Sequence, residues 1–138
     1  MAARPGWRRS ALVLSLLLAG LVFVGLRGNR AIAASEAAAT KMKWAVAVAD
    51  ARTAIDWAPW SSSAWQQLGG IQIEQHKLAA ARMSLRQALR KDPADWNSWV
   101  ALATVSKGTE RRHALAEARM LNPLDPGVAA VEPQGRGG

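Results

Sequence analysis

The sequence predicts an all-α chain: an N-terminal transmembrane or signal-anchor helix, then a short solenoid of helical hairpins about two and a half repeats long. Three observations predict it. The stretch ALVLSLLLAGLVFVGL, residues 11–26, holds no charge and a single polar residue, Ser15. Proline recurs after 34 residues, at Pro59 and Pro93. Alanine is abundant and is joined by Leu, Arg, Glu and Gln, all good helix formers.

The first element covers residues 1–27. As a helix, the apolar stretch spans about 24 Å at about 1.5 Å per residue, against a bilayer core about 30 Å thick. Trp7 and Ser10 extend it, and Arg9 and Arg27 can snorkel to the two interfaces, so residues 10–27 are expected to contact lipid. A cleavable signal with Ala31-Ile32-Ala33 as its site is the competing expectation. Against it, the apolar run is long and Arg27 and Arg30 precede the candidate site. Arg4, Arg8 and Arg9 before the span put the N-terminus in the cytoplasm and the remainder in the cell envelope. Cleavage would instead release a secreted, soluble repeat protein.

The repeat region covers residues 28–126, divided into 28–61, 62–95 and 96–126. Ala54, Ala88 and Ala118 each lie five residues before a proline, and Trp65 and Trp99 each lie six after one. Trp65, Leu68, Ile71 and Trp96, Trp99, Leu102 recur at helical spacing. Ala81, Leu85, Ala88 and Leu89 give a second helix its apolar stripe. Ser63 and Gln66 form a candidate capping box, Asp95 a cap for the next helix, and Thr109, followed by Glu110, a cap for the last. Each proline ends a helix by excluding its predecessor from the α region. In the third unit Pro123 comes four residues early, a deficit expected around Lys107-Gly108 and the start of the second helix. No polar capping helix is expected after it, and the Gly/Pro-rich residues 127–138 are expected to be disordered.

Charge and composition narrow the function. The net charge of +8 resolves into five arginines and no acid in residues 1–30 and a mixed surface beyond, with no basic face carrying interleaved aromatics. Nucleic-acid binding is therefore not expected. The chain has no cysteine, so it has no disulfide, thiolate metal site or thiol nucleophile. His76 falls in a turn and His113 in the last helix, with no nucleophile, metal-binding or phosphate-binding motif around them. Glu110 and Glu117 have arginines nearby and read as a solvated, ion-paired face. No enzymatic activity, cofactor or metal is expected. Trp57, Trp60 and Trp96 flank the inter-repeat prolines; inter-repeat packing accounts for them, with a stacking surface for a sugar ring as the alternative.

Residues 62–95 resemble the tetratricopeptide repeat family. Its signature residues correspond to Trp65, Leu68, Gly69, Ala81, Leu85, Ala88 and Pro93, and Trp99 and Leu102 continue it in the next unit. Gln72 stands at the family's tyrosine position, and Leu85 replaces phenylalanine. The resemblance implies helix–turn–helix units, with Trp65 and Trp99 packed between the two helices of a repeat. It also implies a concave face lined by Ser63, Gln66, Gly70, Ile73, Asn97, Val100, Thr104 and Lys107, open to another protein, here a membrane or envelope protein. The subtype that clamps a terminal carboxylate needs an asparagine where this chain has Gly70, so that mode is not expected. The order of an apolar span, RGNRAIAASEAA, WAPWSSSAWQQLG and LNPLDP is also similar to the helical tail of bacterial O-antigen ligase and polymerase-like proteins. That likeness implies a detached tail or accessory subunit of a glycan-assembly enzyme.

Overall fold

In the computed structural model the described residues are 6–40 and 43–131, and they form helices and turns with no strand among them. The basic start at Arg4 and the tail at 132–138 lie outside them. The apolar segment and the first repeat helix are one unbroken helix, α1 (Gly6–Thr40). No proline interrupts RGNRAIAASEAA, and the lone Gly28 costs only about 1 kcal/mol of helix propensity. α2 (Trp44–Trp57), α3 (Ser62–Glu74), α4 (Leu78–Lys91), α5 (Trp96–Val105) and α6 (Gly108–Leu121) complete three antiparallel hairpins, and a short α7 (Pro126–Val131) follows.

Small residues decide how closely these helices approach. Ala47, Ala51, Ala54, Ala64, Ala81, Ala88, Ala103, Ala114 and Ala118 are fully buried. Buried Ser35 of α1 donates to the Ala47 carbonyl of α2 at 2.9 Å. Gly69 of α3 sits so near α4 that a Cβ there would lie 2.9 Å from the Leu85 side chain. Across this hairpin Gln72 accepts from the Ser84 hydroxyl at 2.7 Å, a polar link where the repeat family has an aromatic ring.

The prolines set one turn three times. Ala58, Asp92 and Asn122 each end a helix with a bond from their N–H to the carbonyl four residues back. In each case the N–H three residues on, at Ser61, Asp95 and Asp125, returns to that residue's carbonyl. Pro59, Pro93 and Pro123 occupy the second turn position, whose φ the ring presets. Asp95 then caps α5, accepting from the Asn97 N–H at 3.1 Å, and Asp125 accepts from the Val128 N–H at the same distance.

The other expected caps are not made. α3 begins at Ser62 behind Ser61, with no side-chain cap bond, so Ser63 and Gln66 form no capping box. α6 begins at Gly108 behind Lys107, which puts Thr109 inside the first turn rather than at the cap. Within the second hairpin, α3 ends with paired bonds from His76 N–H to Ile73 O and from Lys77 N–H to Gln72 O, both 2.8 Å. His76 occupies the left-handed position of this motif at φ 57°, where glycine is usual.

Two features at the C-terminal end differ from expectation. The four missing residues of the third repeat come from its first helix and the turn: α5 has 10 residues against 13 in α3, while α6 keeps the 14 of α4. Gly108, at φ 59°, starts α6 directly after a two-residue turn. Residues 127–131, expected in the disordered tail, are helical, because Asp125 supplies the cap and Pro126 the first helical position. α7 buries Val128 against α5 and α6 and so covers the end of the stack that was expected to be bare.

Candidate functional site

The first helices of the three hairpins, α1, α3 and α5, share one face of the stack. Between α1 and α3 this face opens into a cleft of about 430 Å³, lined by Asn29, Ile32, Ala33, Glu36, Ser63, Gln66 and Gln67. Ser63 is exposed and Gln66 half-buried, as a docking surface requires. Their α1 partners, Asn29, Ile32, Ala33 and Glu36, were missed in the sequence because the first unit lacks the Trp-Leu-Gly signature that sets its register. The cleft offers amides, a hydroxyl and one carboxylate around a short apolar floor at Ile32 and Ala33. That chemistry suits hydrogen bonds to a peptide backbone or polar side chains.

The remaining concave-face residues separate into exposed and covered positions. Asn97, Thr104 and Lys107 are exposed, and the Thr104 hydroxyl turns back to the Ala101 carbonyl at 2.7 Å. Val100 is half-buried beneath α7, where a Cβ on Gly127 would come within 3.4 Å of it. Ile73 is half-buried against the cluster of Ala81, Leu85 and Leu102, so it supports the core more than it lines the groove. Gly70, half-buried, borders a different hollow between α2 and α3 with Trp44, Gln67 and Glu74.

The core residues lie both within the second repeat, as Gly69 and Leu85 do, and between repeats. Leu68, Gly69, Ala81, Leu85, Ala88 and Leu102 are buried, and Pro93 is exposed in its turn. Trp65 packs against the cluster of Ala38, Ala47, Ala51, Leu68 and Ile71, and Trp99 against the one that holds Ala81, Leu85, Leu89, Leu102 and Ala114. Trp99 thus meets α4 of the preceding repeat and, through His113 at 5.4 Å, α6 of its own. The Trp99 indole N–H donates to the Pro93 carbonyl at 2.8 Å, a bond that the six-residue spacing permits. The corresponding Trp65 N–H is buried without a partner. Among the described residues no ring pair joins Trp57, Trp60 and Trp96 into a stacking platform; Trp57 instead meets Phe23 edge-on at 6.5 Å.

A second cleft, about 360 Å³, opens between α4, α5 and α6 around Arg86, Leu89, Trp99, Glu110 and His113. Arg86 grips Glu110 with Nε at 2.7 Å and Nη2 at 2.5 Å from Oε1. Burial pushes the Glu110 carboxyl up, but the hydrogen bond and charge of Arg86, with Arg82 nearby, outweigh it and hold the carboxyl below its ordinary value. His113 stacks edge-on to Trp99 at 5.4 Å, with Glu117 3.8 Å from its Nδ1. An ion pair and an aromatic pair of this kind tie helices together. Among the described residues no group of three or more His, Cys, Asp or Glu side chains could hold a metal ion.

No family model and no curated protein sequence matches the chain. Solved structures do. The chain is similar to the TPR domain of Arabidopsis OM64, with a TM-score of 0.72 and 15% identity over 76% of this chain and 90% of that one. It is similar to the TPR2B domain of yeast Sti1, solved in complex with pHsp70, with a TM-score of 0.69 and 19% identity over 76% and 88%. It is also similar to the first TPR of Spaghetti (RPAP3), bound to the HSP90 peptide SRMEEVD, with a TM-score of 0.73 and 11% identity over 76% and 86%. Helix order, the recurring proline turn and these likenesses together give the chain a tetratricopeptide-repeat fold.

Proposed function

We propose that this chain is a non-catalytic, membrane-anchored scaffold of the cell envelope that docks a segment of another protein in the groove along α1, α3 and α5. The observation that carries the docking is the cleft of about 430 Å³ flanked by Asn29, Glu36, Ser63 and Gln66. Its support from outside the chain is that structures with this fold hold peptides, as in Spaghetti. The anchoring rests on α1. Its stretch Leu14–Ala38 is long and apolar enough to cross a membrane by length and composition; the part up to Arg27 is the part offered to lipid, and the rest packs on α2. The leucines at 14, 16, 17, 18, 21 and 26 in it are all exposed. Cleavage after Ala33 would divide α1 within the face that packs on α2 and would remove Asn29, Ile32 and Ala33 from the groove, which favours a retained anchor.

A second reading makes the partner a multi-span glycan-assembly protein, with this chain as its detached tail or accessory subunit. The unbroken passage of α1 from apolar segment to repeat stack favours it, since a last span running into a tail would have that form. One experiment addresses both. The C-terminally tagged full chain is purified from membranes in mild detergent, as wild type and as Gln66→Arg, which places bulk and charge in the groove. The expected result is one protein retained at near-equal stoichiometry by the wild type and depleted at least about tenfold by the variant, a loss of about 1.4 kcal/mol or more. Equal retention by both would remove the groove as the docking site. Recovery of the chain alone from the soluble fraction would remove the anchor.

A further inference from the structure

The anchor and the repeat turns converge at one end of the molecule. Ala58, at the end of α2, lies opposite Gly28, with a Cβ on that glycine 3.3 Å from its own. The alternating helices place the three proline turns at this same end, from which the apolar part of α1 projects. The Arg27 guanidinium lies 5.1 Å from the Phe23 ring and 5.5 Å from the Trp57 ring, so the last turn of the apolar segment and the first proline turn form one contact.

The outer positions of those turns repeat a pattern. The residue before the turn and its third residue are Trp57 and Trp60 in the first, Lys91 and Ala94 in the second, and Leu121 and Leu124 in the third. The first and third pairs are large and apolar, and all four side chains are exposed, Trp60 at 59% and Leu124 at 92%. Hairpin turns at the opposite end read Gln75-His76-Lys77 and Ser106-Lys107. Tryptophan beside arginine, at the level where an apolar helix ends, is the arrangement that the membrane interface favours.

We propose that the proline-turn edge, through Trp57, Trp60, Leu121 and Leu124, inserts into the phospholipid interface and seats the repeat stack upright on the bilayer. This inference rests on the anchored reading. The groove between α1 and α3 then opens beside the membrane surface at a set height. Its occupant is a segment of a partner held close to the same membrane.

The chain contains no cysteine, so single cysteines can be introduced without background. The full-length protein is prepared as Leu18→Cys, Trp60→Cys, Leu124→Cys and Met83→Cys, the last on an exposed position of α4 away from the turns. Each is labelled with nitrobenzoxadiazole and reconstituted in phosphatidylcholine–phosphatidylglycerol vesicles. The expected result is emission shifted to shorter wavelength, with loss of iodide quenching, at positions 18, 60 and 124, and water-like emission at 83. Position 18 shielded, with 60 and 124 matching 83, would overturn the seated edge while leaving the anchor in place. Position 18 matching 83 would overturn the anchor and the seated edge with it. All four replaced side chains are exposed, and circular dichroism checks that the helices persist.

Discussion

At the scale of single residues, the stack depends on how little some of them occupy. Gly69 lets α3 approach α4 until its absent Cβ is replaced by Leu85, itself fully buried. The Leu85 γ-carbon is one of the two nearest atoms, so relief requires the whole isobutyl group to move. Gly69→Ala gains helix propensity of up to about 1 kcal/mol but overpacks the core, at about 1–3 kcal/mol. The expected net outcome is destabilisation by about 1–2 kcal/mol, read as a lower urea midpoint with unchanged slope. A midpoint at or above wild type would mean that Leu85 has room to turn. The two repeat tryptophans show the same dependence on detail. Trp99 finds the Pro93 carbonyl, whereas Trp65, with the same spacing from Pro59, buries its N–H unpaired.

At the scale of elements, side-chain pairs that cross between repeats hold the hairpins in register. Arg86 joins α4 to α6 through Glu110, and Arg82 joins α4 to the end of α5 by donating to the Val105 carbonyl at 2.9 Å. The Glu110 carboxyl is held below its ordinary value. The folded state therefore binds its proton less readily than the unfolded state does. The resulting stability is fully present above the ordinary carboxylate value and is lost as pH falls through the depressed one. Both side chains are partly exposed, 51% for Arg86 and 30% for Glu110, so solvent screens the pair. Glu110→Gln should cost about 0.2–1 kcal/mol at neutral pH and close to nothing once the wild-type carboxyl is protonated. Urea unfolding of both proteins at about pH 7 and about pH 3 checks this. A difference of equal size at both would assign the effect to packing rather than charge.

At the scale of the whole molecule, the chain is a one-dimensional stack, with each hairpin touching mainly its neighbours. One apolar cluster joins α4, α5 and α6 and another joins α1, α2 and α3, so the two ends are stabilised separately. α7 closes one end with six residues, and Val128 is the deeply buried one among its described side chains. Val128→Ala should speed amide exchange in α7 and α6 while leaving α1–α3 unchanged, because distant sites act independently. Hydrogen-exchange mass spectrometry reads this directly. Faster exchange spreading to α2 would show that the stack opens as one unit. The apolar half of α1 belongs to neither cluster, and its leucines at 14, 16, 17, 18, 21 and 26 are exposed.

The sequence by itself determined the helical class, the apolar start, the proline period and the buried positions of the second repeat. These are local or periodic properties. A proline ends its helix wherever it sits; Trp65 and Leu68 share one face of α3, and Ala81, Leu85 and Ala88 one face of α4, because a helix has its own period. The Asp95 cap was legible for the same reason. Only the tertiary structure decided the rest. The α1 side of the groove needed the first hairpin's register, which a run of alanines does not encode. Residues 127–131 start their helix on the local Asp125 cap, but where that helix docks depends on Val128 finding a surface made by α5 and α6. The shortening of α5, rather than α6, keeps the second helix long enough for Glu110 to reach Arg86. The place of Trp57 against Phe23 and Arg27 joins residues about thirty positions apart, a contact that neither helical period nor spacing encodes.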